Sequence, residues 1–268
     1  MRAGLPRLLA WLALAAAPGI ANAQDPFLTQ RPEKTGARLV EIATPFTRGR
    51  GNLEVMFGFR MAQTVEDGGV HDLWGIDGGA DVAIGVAYGV GSRFDLEAFR
   101  SSFLETFELA AKARLWDQSE GAWASVGLRA GTDLVRGSVV DRERPFAQVL
   151  LSRYFGHGVS LLVSPSYVTD TPRLSNAFNV PVGLTLPFFG GSLMKLEVVP
   201  ENRDLEDSVM GWRLAFSKAT TGHFLEVTFG NSRATTVDQI LGGDFAGGFA
   251  RDDVRVGVNV VRYFHPRK

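Results

Sequence analysis

Residues 53–61 read Leu53-Glu54-Val55-Met56-Phe57-Gly58-Phe59-Arg60-Met61, with an apolar side chain at every second position. The interleaved set is Glu54, Met56, Gly58 and Arg60. In an extended chain successive side chains point to opposite faces, so a period of two describes a strand with two unlike faces.

The same pattern recurs along the chain. Val82, Ile84, Val86, Tyr88 and Val90 alternate with Asp81, Ala83, Gly85, Ala87 and Gly89. Phe107, Leu109, Ala111, Ala113 and Leu115 alternate with Glu108, Ala110, Lys112, Arg114 and Trp116. Val254, Val256, Val258 and Val260 alternate with Arg255, Gly257 and Asn259. Twelve strands are predicted, at 51–62, 78–90, 93–101, 105–116, 121–133, 145–155, 158–168, 177–188, 191–201, 208–218, 221–231 and 253–264. In 145–155 both Leu150 and Leu151 are apolar, so the alternation leaves the faces unassigned there.

Strand length separates a membrane barrel from a soluble sandwich, since both alternate. Soluble strands usually run about five or six residues, whereas a tilted strand crossing a bilayer needs about 9–11. Most of these segments have membrane length. The links add an independent argument. Those at 63–77, 134–144, 169–176 and 232–252 are long, that at 202–207 is of medium length, and those at Gly91-Ser92, Asp117 to Glu120, Gly156-His157, Phe189-Gly190 and Ala219-Thr220 are tight. Only 102–104 breaks the rhythm. Outer-membrane barrels pair short periplasmic turns with longer extracellular loops on an even number of strands. The predicted fold is therefore all-β: a closed antiparallel transmembrane β-barrel of about 12 strands.

On that fold the polar faces line a lumen. The candidate lumen-facing residues are Glu54, Arg60, Asp81, Glu108, Lys112, Arg114, Arg129, Lys195, Glu197, Arg213, Glu226 and Arg255. Aromatics near the strand ends (Trp74, Tyr88, Trp116, Phe146, Tyr154, Phe155, Tyr167, Phe188, Phe189, Tyr263 and Phe264) match interfacial girdles. Twelve strands enclose more space than eight, whose interior side chains fill. A narrow lumen is expected, partly blocked by Arg–carboxylate pairs or by the segment that precedes the first strand.

The ends of the chain define the remaining parts. Arg2 and Arg7 precede the apolar run Leu8 to Ala17, and Ala21-Asn22-Ala23 supplies small residues before Gln24, which reads as a secretory signal peptide over 1–23. Ten or so apolar residues cannot cross about 30 Å of hydrocarbon as a helix. Residues 24–50, with Pro26 and Pro32, read as a periplasmic lead-in containing a short strand at Ala37 to Ala43. The barrel domain spans 51–264, and 265–268 form a tail. Removing Arg2 and Arg7 takes the 28 basic residues to 26 against 29 acidic ones, a balance that gives no reason to expect a nucleic-acid partner. With no cysteine, disulfides and thiolate chemistry are excluded too.

Several stretches resemble an outer-membrane β-barrel family catalogued as a domain of unknown function. They are Gly51-Asn52-Leu53-Glu54-Val55, Trp74-Gly75-Ile76-Asp77-Gly78-Gly79-Ala80 leading to Tyr88-Gly89, Gly222-His223-Phe224-Leu225-Glu226-Val227-Thr228-Phe229-Gly230-Asn231-Ser232 followed by Thr235-Thr236-Val237-Asp238-Gln239, and Gly257-Val258-Asn259-Val260-Val261-Arg262-Tyr263-Phe264. The resemblance covers roughly 35–264 and implies a barrel fold, with no catalytic residue or substrate to carry over. Barrels of this type end at the last aromatic, which resembles a signal for the barrel-insertion machinery. Here His265-Pro266-Arg267-Lys268 follow Phe264.

A search for chemistry yields no catalytic, cofactor or metal site. Enzymatic hydrolysis at a rim needs a nucleophile, a base and an orienting group together, and the four histidines (His71, His157, His223, His265) are scattered among loops, turns and tail. His71 beside Asp67, Asp72 and Asp77 reads as a solvated acidic loop, and so do Asp204, Glu206 and Asp207, the other conceivable cation site. Arg142 and Arg144 are positioned by composition to meet lipopolysaccharide phosphates. Gly89-Val90-Gly91 opens no helix, which removes the dinucleotide reading. The expectation is an exported barrel, not an enzyme, in the outer membrane of a Gram-negative bacterium. Its partners are lipid, the insertion machinery and a small solute that passes or docks. Alternatives are a structural or adhesive barrel, a lipid-modifying enzyme and a soluble periplasmic β-sandwich.

Overall fold

The computed structural model describes residues 36–136, 142–171, 176–202, 204, 209–220, 222–243 and 253–265. The signal-peptide reading, Glu206, Asp207 and the last three residues lie outside the described residues. Within them the alternating segments become fourteen strand pieces. These are β1 (Leu53–Met61), β2 (Ala80–Gly89), β3 (Phe94–Ser101), β4 (Thr106–Trp116), β5 (Ser125–Val135), β6 (Arg142–Gly156), β7 (Val159–Val163), β8 (Ser166–Thr169), β9 (Asn176–Asn179), β10 (Val182–Pro187), β11 (Leu193–Val199), β12 (Gly211–Thr220), β13 (His223–Gly230) and β14 (Arg255–Phe264). Two short helices, α1 (Val65–Gly68) and α2 (Val237–Leu241), lie in the first and last long loops.

The pieces make twelve crossings, because β7 with β8, and β9 with β10, are each one strand interrupted by a proline. Proline has no N–H to give to a ladder. Yet the sheet continues through the breaks: Val149 N–H donates to the Pro165 carbonyl and Ser164 N–H to the Pro181 carbonyl, each at 2.9 Å. Pairing is antiparallel between sequential crossings. The ends join where Leu53 faces Phe264 and Arg60 faces Gly257. β5 pairs with β6 along its whole length, from Ser125 opposite Ser152 to Val135 opposite Arg142. Every crossing therefore has two neighbours and the sheet has no open edge, which is what a strand structure needs to satisfy its backbone in hydrocarbon. A ten-residue strand rising about 3.3 Å per residue and tilted about 40° covers about 25 Å, the height of the apolar band of such barrels.

Facing follows the predicted parity. Leu53, Val55, Phe57 and Phe59 point outward, while Glu54, Met56, Gly58 and Arg60 are buried inside. β6 resolves the ambiguity left by the sequence: Leu150 points inward with 0% exposure and Leu151 outward. Three aromatics expected in the girdles face inward instead. Phe146 is buried against Arg129, whose guanidinium carbon sits 5.0 Å from the ring centre. Tyr154 and Tyr263 share inward parity with Ser152 and Val261. β5 starts at Ser125 instead of 121, so Trp123 belongs to a longer turn that carries a 3-10 segment at Gln118–Glu120.

The lumen is filled by chain. Of the segment read as a periplasmic lead-in, the described part folds into the barrel. Residues 37–43 close a tight turn in which Arg38 bridges Ala43, Leu39 N–H donates to Ile42 O and Thr44 N–H to Ala37 O. Leu39 and Ile42 pack on Leu162 of β7. Gly183 of β10 leaves the room, since a Cβ there would lie 2.3 Å from Leu39 Cδ2. The described part of the long link 232–252 enters the barrel as well. Residues 231–243 turn inward, and every residue of α2 is buried. Val237, Ile240 and Leu241 pack with Phe146, Val168 and Val199 on the inner wall.

Candidate functional site

Two inserted segments and the ring of charge that holds them form the candidate site. Residues 36–43 have almost no β partner, so their backbone polar groups must be satisfied by wall side chains. Glu197 of β11 accepts from three consecutive N–H groups: Val40 at 2.8 Å, Glu41 at 2.9 Å and Ile42 at 2.9 Å. Glu54 of β1 accepts from Ala37 N–H at 3.0 Å. Lys195 Nζ donates to Leu39 O at 2.8 Å, and Lys112 Nζ to Ala37 O at 3.4 Å. The segment's own charges reach the wall as well. Glu41 pairs with Arg60 and, at 2.8 Å, with Arg213. Arg38 pairs with Glu108, and Arg48, just after the segment, pairs with Glu54 at 2.7 Å.

The second segment is held in the same manner. Asp238 of α2 pairs with Arg144 at 2.5 Å, and its N–H donates to Asp133 at 2.8 Å. Val237 N–H donates to Glu108 at 2.9 Å, and the Gln239 amide reaches Thr106 Oγ1 at 3.0 Å. Arg213 Nη2 donates to Ser232 O at 2.9 Å. The two segments touch, since Arg38 Nη1 donates to Thr235 O at 2.8 Å.

The wall by itself is electrostatically incomplete. Lys112 stands opposite Arg129, and Glu108 opposite Asp133, with both pairs facing inward. Like charges directly across a strand pair are unfavourable. Glu97 of β3 resolves the first pair, at 2.7 Å from Lys112 and 2.8 Å from Arg129. The second pair depends on Arg129 and on the insertions, through Arg38 and the N–H groups of Val237 and Asp238.

Nine of the candidate lumen residues (Glu54, Arg60, Glu108, Lys112, Arg129, Lys195, Glu197, Arg213 and Glu226) lie buried in this network. Glu226 bonds Lys195 at 2.5 Å and Asn259 at 2.9 Å. Arg114, Asp81 and Arg255 share the inward parity but sit at the rims. Arg114 pairs with Asp117, Asp81 with Arg233 at 3.0 Å, and Arg255 donates to Ala62 O at 3.3 Å. Arg144 corrects the lipopolysaccharide expectation, because its even parity in β6 turns it inward onto Asp238. Arg142 is spent at 3.1 Å on Asp170. Asp95, Glu97, Asp133 and Gln148 belong to the site and could have been found by parity alone. Arg38, Glu41 and Asp238 lie outside any alternation, and no periodicity marks them.

The voids between the described residues of the lumen are small. Voids of about 20 Å³ remain beside Arg38, Glu54 and Phe99 and beside Glu41, Arg213 and Ser232, and about 10 Å³ beside Arg129 and Leu241. A water needs about 10–15 Å³ measured in this way, so these voids hold a water or two and no solute. On the outer wall a hollow of about 520 Å³ lies over Ala111, Ala130 and Ala147, which stand in register on adjacent strands. Among the described residues no three His, Asp or Glu side chains are disposed to hold a metal ion. His71 is 99% exposed beside Asp72.

An all-antiparallel closed sheet, apolar outside and charged inside, defines a membrane β-barrel, here with its lumen filled by the described inserted segments. The chain belongs to the family described as "Membrane bound beta barrel domain (DUF5777)", whose model matches residues 35–264. No curated protein matches the sequence. Among solved structures it is similar to the Acinetobacter baumannii outer membrane protein Omp33, at 10% identity and TM-score 0.46 over 81% of this chain and 100% of that one. It is also similar to outer membrane phospholipase A from Escherichia coli, at 13% identity and TM-score 0.42 over 79% and 92%. A third similar structure is LpxR from Salmonella typhimurium, at 9% identity and TM-score 0.37 over 80% and 99%.

Proposed function

We propose that the protein is an outer-membrane barrel, sealed at rest, which passes a small polar solute only when both inserted segments leave the lumen. The observation that carries this reading is how the segments are held. Glu197, Glu54, Lys195 and Lys112 grip the backbone of residues 37–42 and Arg144 and Asp133 hold Asp238, with apolar packing at Leu39 and Ile42 and at Val237, Ile240 and Leu241. Polar grips of this kind exchange with water and ions more readily than a packed core does, and withdrawal would expose a lumen already lined with both signs of charge. In this reading the short-turn rim, where both ends of the barrel lie, faces the periplasm. The protein reaches the membrane through export and the insertion machinery, and it is not an enzyme.

The test is planar-bilayer conductance in potassium chloride. The folded full chain is expected to be silent apart from rare openings. A variant lacking residues 24–46 and carrying a Gly-Ser link in place of 232–243 is expected to conduct steadily. Gel mobility with and without boiling checks that each variant is a folded barrel. A folded double variant that stays silent would sink the passage reading in favour of a purely structural barrel, and steady conductance by the full chain would refute the seal.

A further inference from the structure

The tripeptide Arg-Tyr-Phe occurs twice, at Arg153-Tyr154-Phe155 and Arg262-Tyr263-Phe264, and each copy ends a strand at the short-turn rim. The strands are β6 and β14, the sixth and twelfth of twelve crossings, so the two copies stand on opposite sides of the barrel. In each copy the tyrosine has inward parity, while the arginine and phenylalanine face outward, toward lipid. The arginine lies over its own phenylalanine, at 5.4 Å for Arg153 and 5.1 Å for Arg262. Arg153 also lies 4.1 Å from the ring centre of Trp123, whose exposure is 75%.

An outward-facing cation on a membrane barrel is costly at mid-bilayer and tolerated near the interface. Among the described strand residues the outward face carries charge only at its ends. At the short-turn rim these are Arg153, Lys218 and Arg262, with no carboxylate, and at the other rim Arg100 and Glu143. No described carboxylate forms an ion pair with the three cations. Arg262 meets the His223 ring at 3.2 Å, and the Nε of Arg153 is buried without a partner. A guanidinium stacked on an aromatic ring has its in-plane donors free, and their fork matches two oxygens of a phosphate.

We infer that the two Arg-Tyr-Phe ends are binding sites for anionic phospholipid headgroups of the leaflet that meets the short-turn rim. The arginine takes the phosphate, and the flanking aromatic rings seat at the headgroup level. Paired on opposite sides, the sites set the height of the barrel in the bilayer. The inference is independent of whether the lumen opens.

Native mass spectrometry of the folded full chain, extracted in mild detergent and incubated with phosphatidylglycerol or phosphatidylcholine, tests it. Up to two tightly held phosphatidylglycerols are expected, with phosphatidylcholine held more weakly. Arg153→Gln and Arg262→Gln are each expected to weaken retention by roughly fivefold, the worth of one basic residue near a charged bilayer surface. Arg100→Gln at the other rim should leave it unchanged. The Arg153 variant carries the test if the Arg262 variant does not fold, because β6 is not the terminal strand. Unchanged retention in Arg153→Gln would overturn the inference, and so would equal retention of the two lipids. Displacement of bound lipid by millimolar inorganic phosphate would also overturn it, by showing a site for the free anion.

Discussion

Arg129 shows how a single residue holds the interior together. It sits on β5 at the point where four groups converge: Glu97 at 2.8 Å, Glu108, Gln148 at 2.8 Å and the face of Phe146. Its removal would leave two buried carboxylates short of a counter-charge, and breaking a buried pair from one side costs about 3–5 kcal/mol. Arg129→Met should therefore lower the urea midpoint for unfolding of the barrel sharply, read as loss of the compact band on unboiled gels. Adding Glu108→Gln should restore part of the loss, because it removes one of the stranded charges. An unchanged midpoint in the single variant would mean that water solvates this region and the ion pairs contribute little. Glu197 makes a different use of charge, since it accepts three N–H groups of a segment with nowhere else to place them.

At the scale of elements, α2 is too short to persist alone, since isolated helices under about 12 residues are marginal in water. It holds through its cap and its surroundings. Thr236 and Gln239 form a capping box, in which each side chain satisfies the other's backbone N–H. Thr236→Ala should cost about 1 kcal/mol, within the usual range for a lost N-cap, and the loss should fall on the insertion while the sheet stays closed. Because the chain has no cysteine, Leu241→Cys would provide a unique label site. Labelling by a water-soluble maleimide should be faster in the Thr236→Ala background, and Val40→Cys should be little affected. Equal acceleration at both positions would show that the two insertions leave together.

The whole molecule is closed by one long seam, β1 with β14, every other crossing pairing with its neighbour along the chain, and a closed sheet in lipid has no free edge from which to unzip. Detergent should be required to release the protein from membranes, and its electrophoretic mobility should change on boiling. Release by salt or osmotic shock with no such change would count against a membrane barrel. Inside, the insertions supply counter-charges that the wall lacks, so a barrel without them is expected to close but to unfold at a lower urea concentration than the full chain.

All twelve crossings were legible in the sequence, because the lipid-facing positions of a strand must be apolar at every second residue, even where an inner position such as Met56 or Leu150 is apolar too. The charges of the lining were legible for the same reason, by parity from Glu54 through Arg255. The insertions were not. Residues 36–43 and 231–243 bind through backbone groups held by Glu197, Glu54 and Glu108, and a backbone amide leaves no trace in residue type or period. Nor could parity tell that Arg144 would meet Asp238, since their approach depends on where the last loop folds. What the sequence by itself determined was the wall and its two faces, a local property of each strand. What fills the lumen was decided only in three dimensions, because it depends on matching charges brought together from distant parts of the chain.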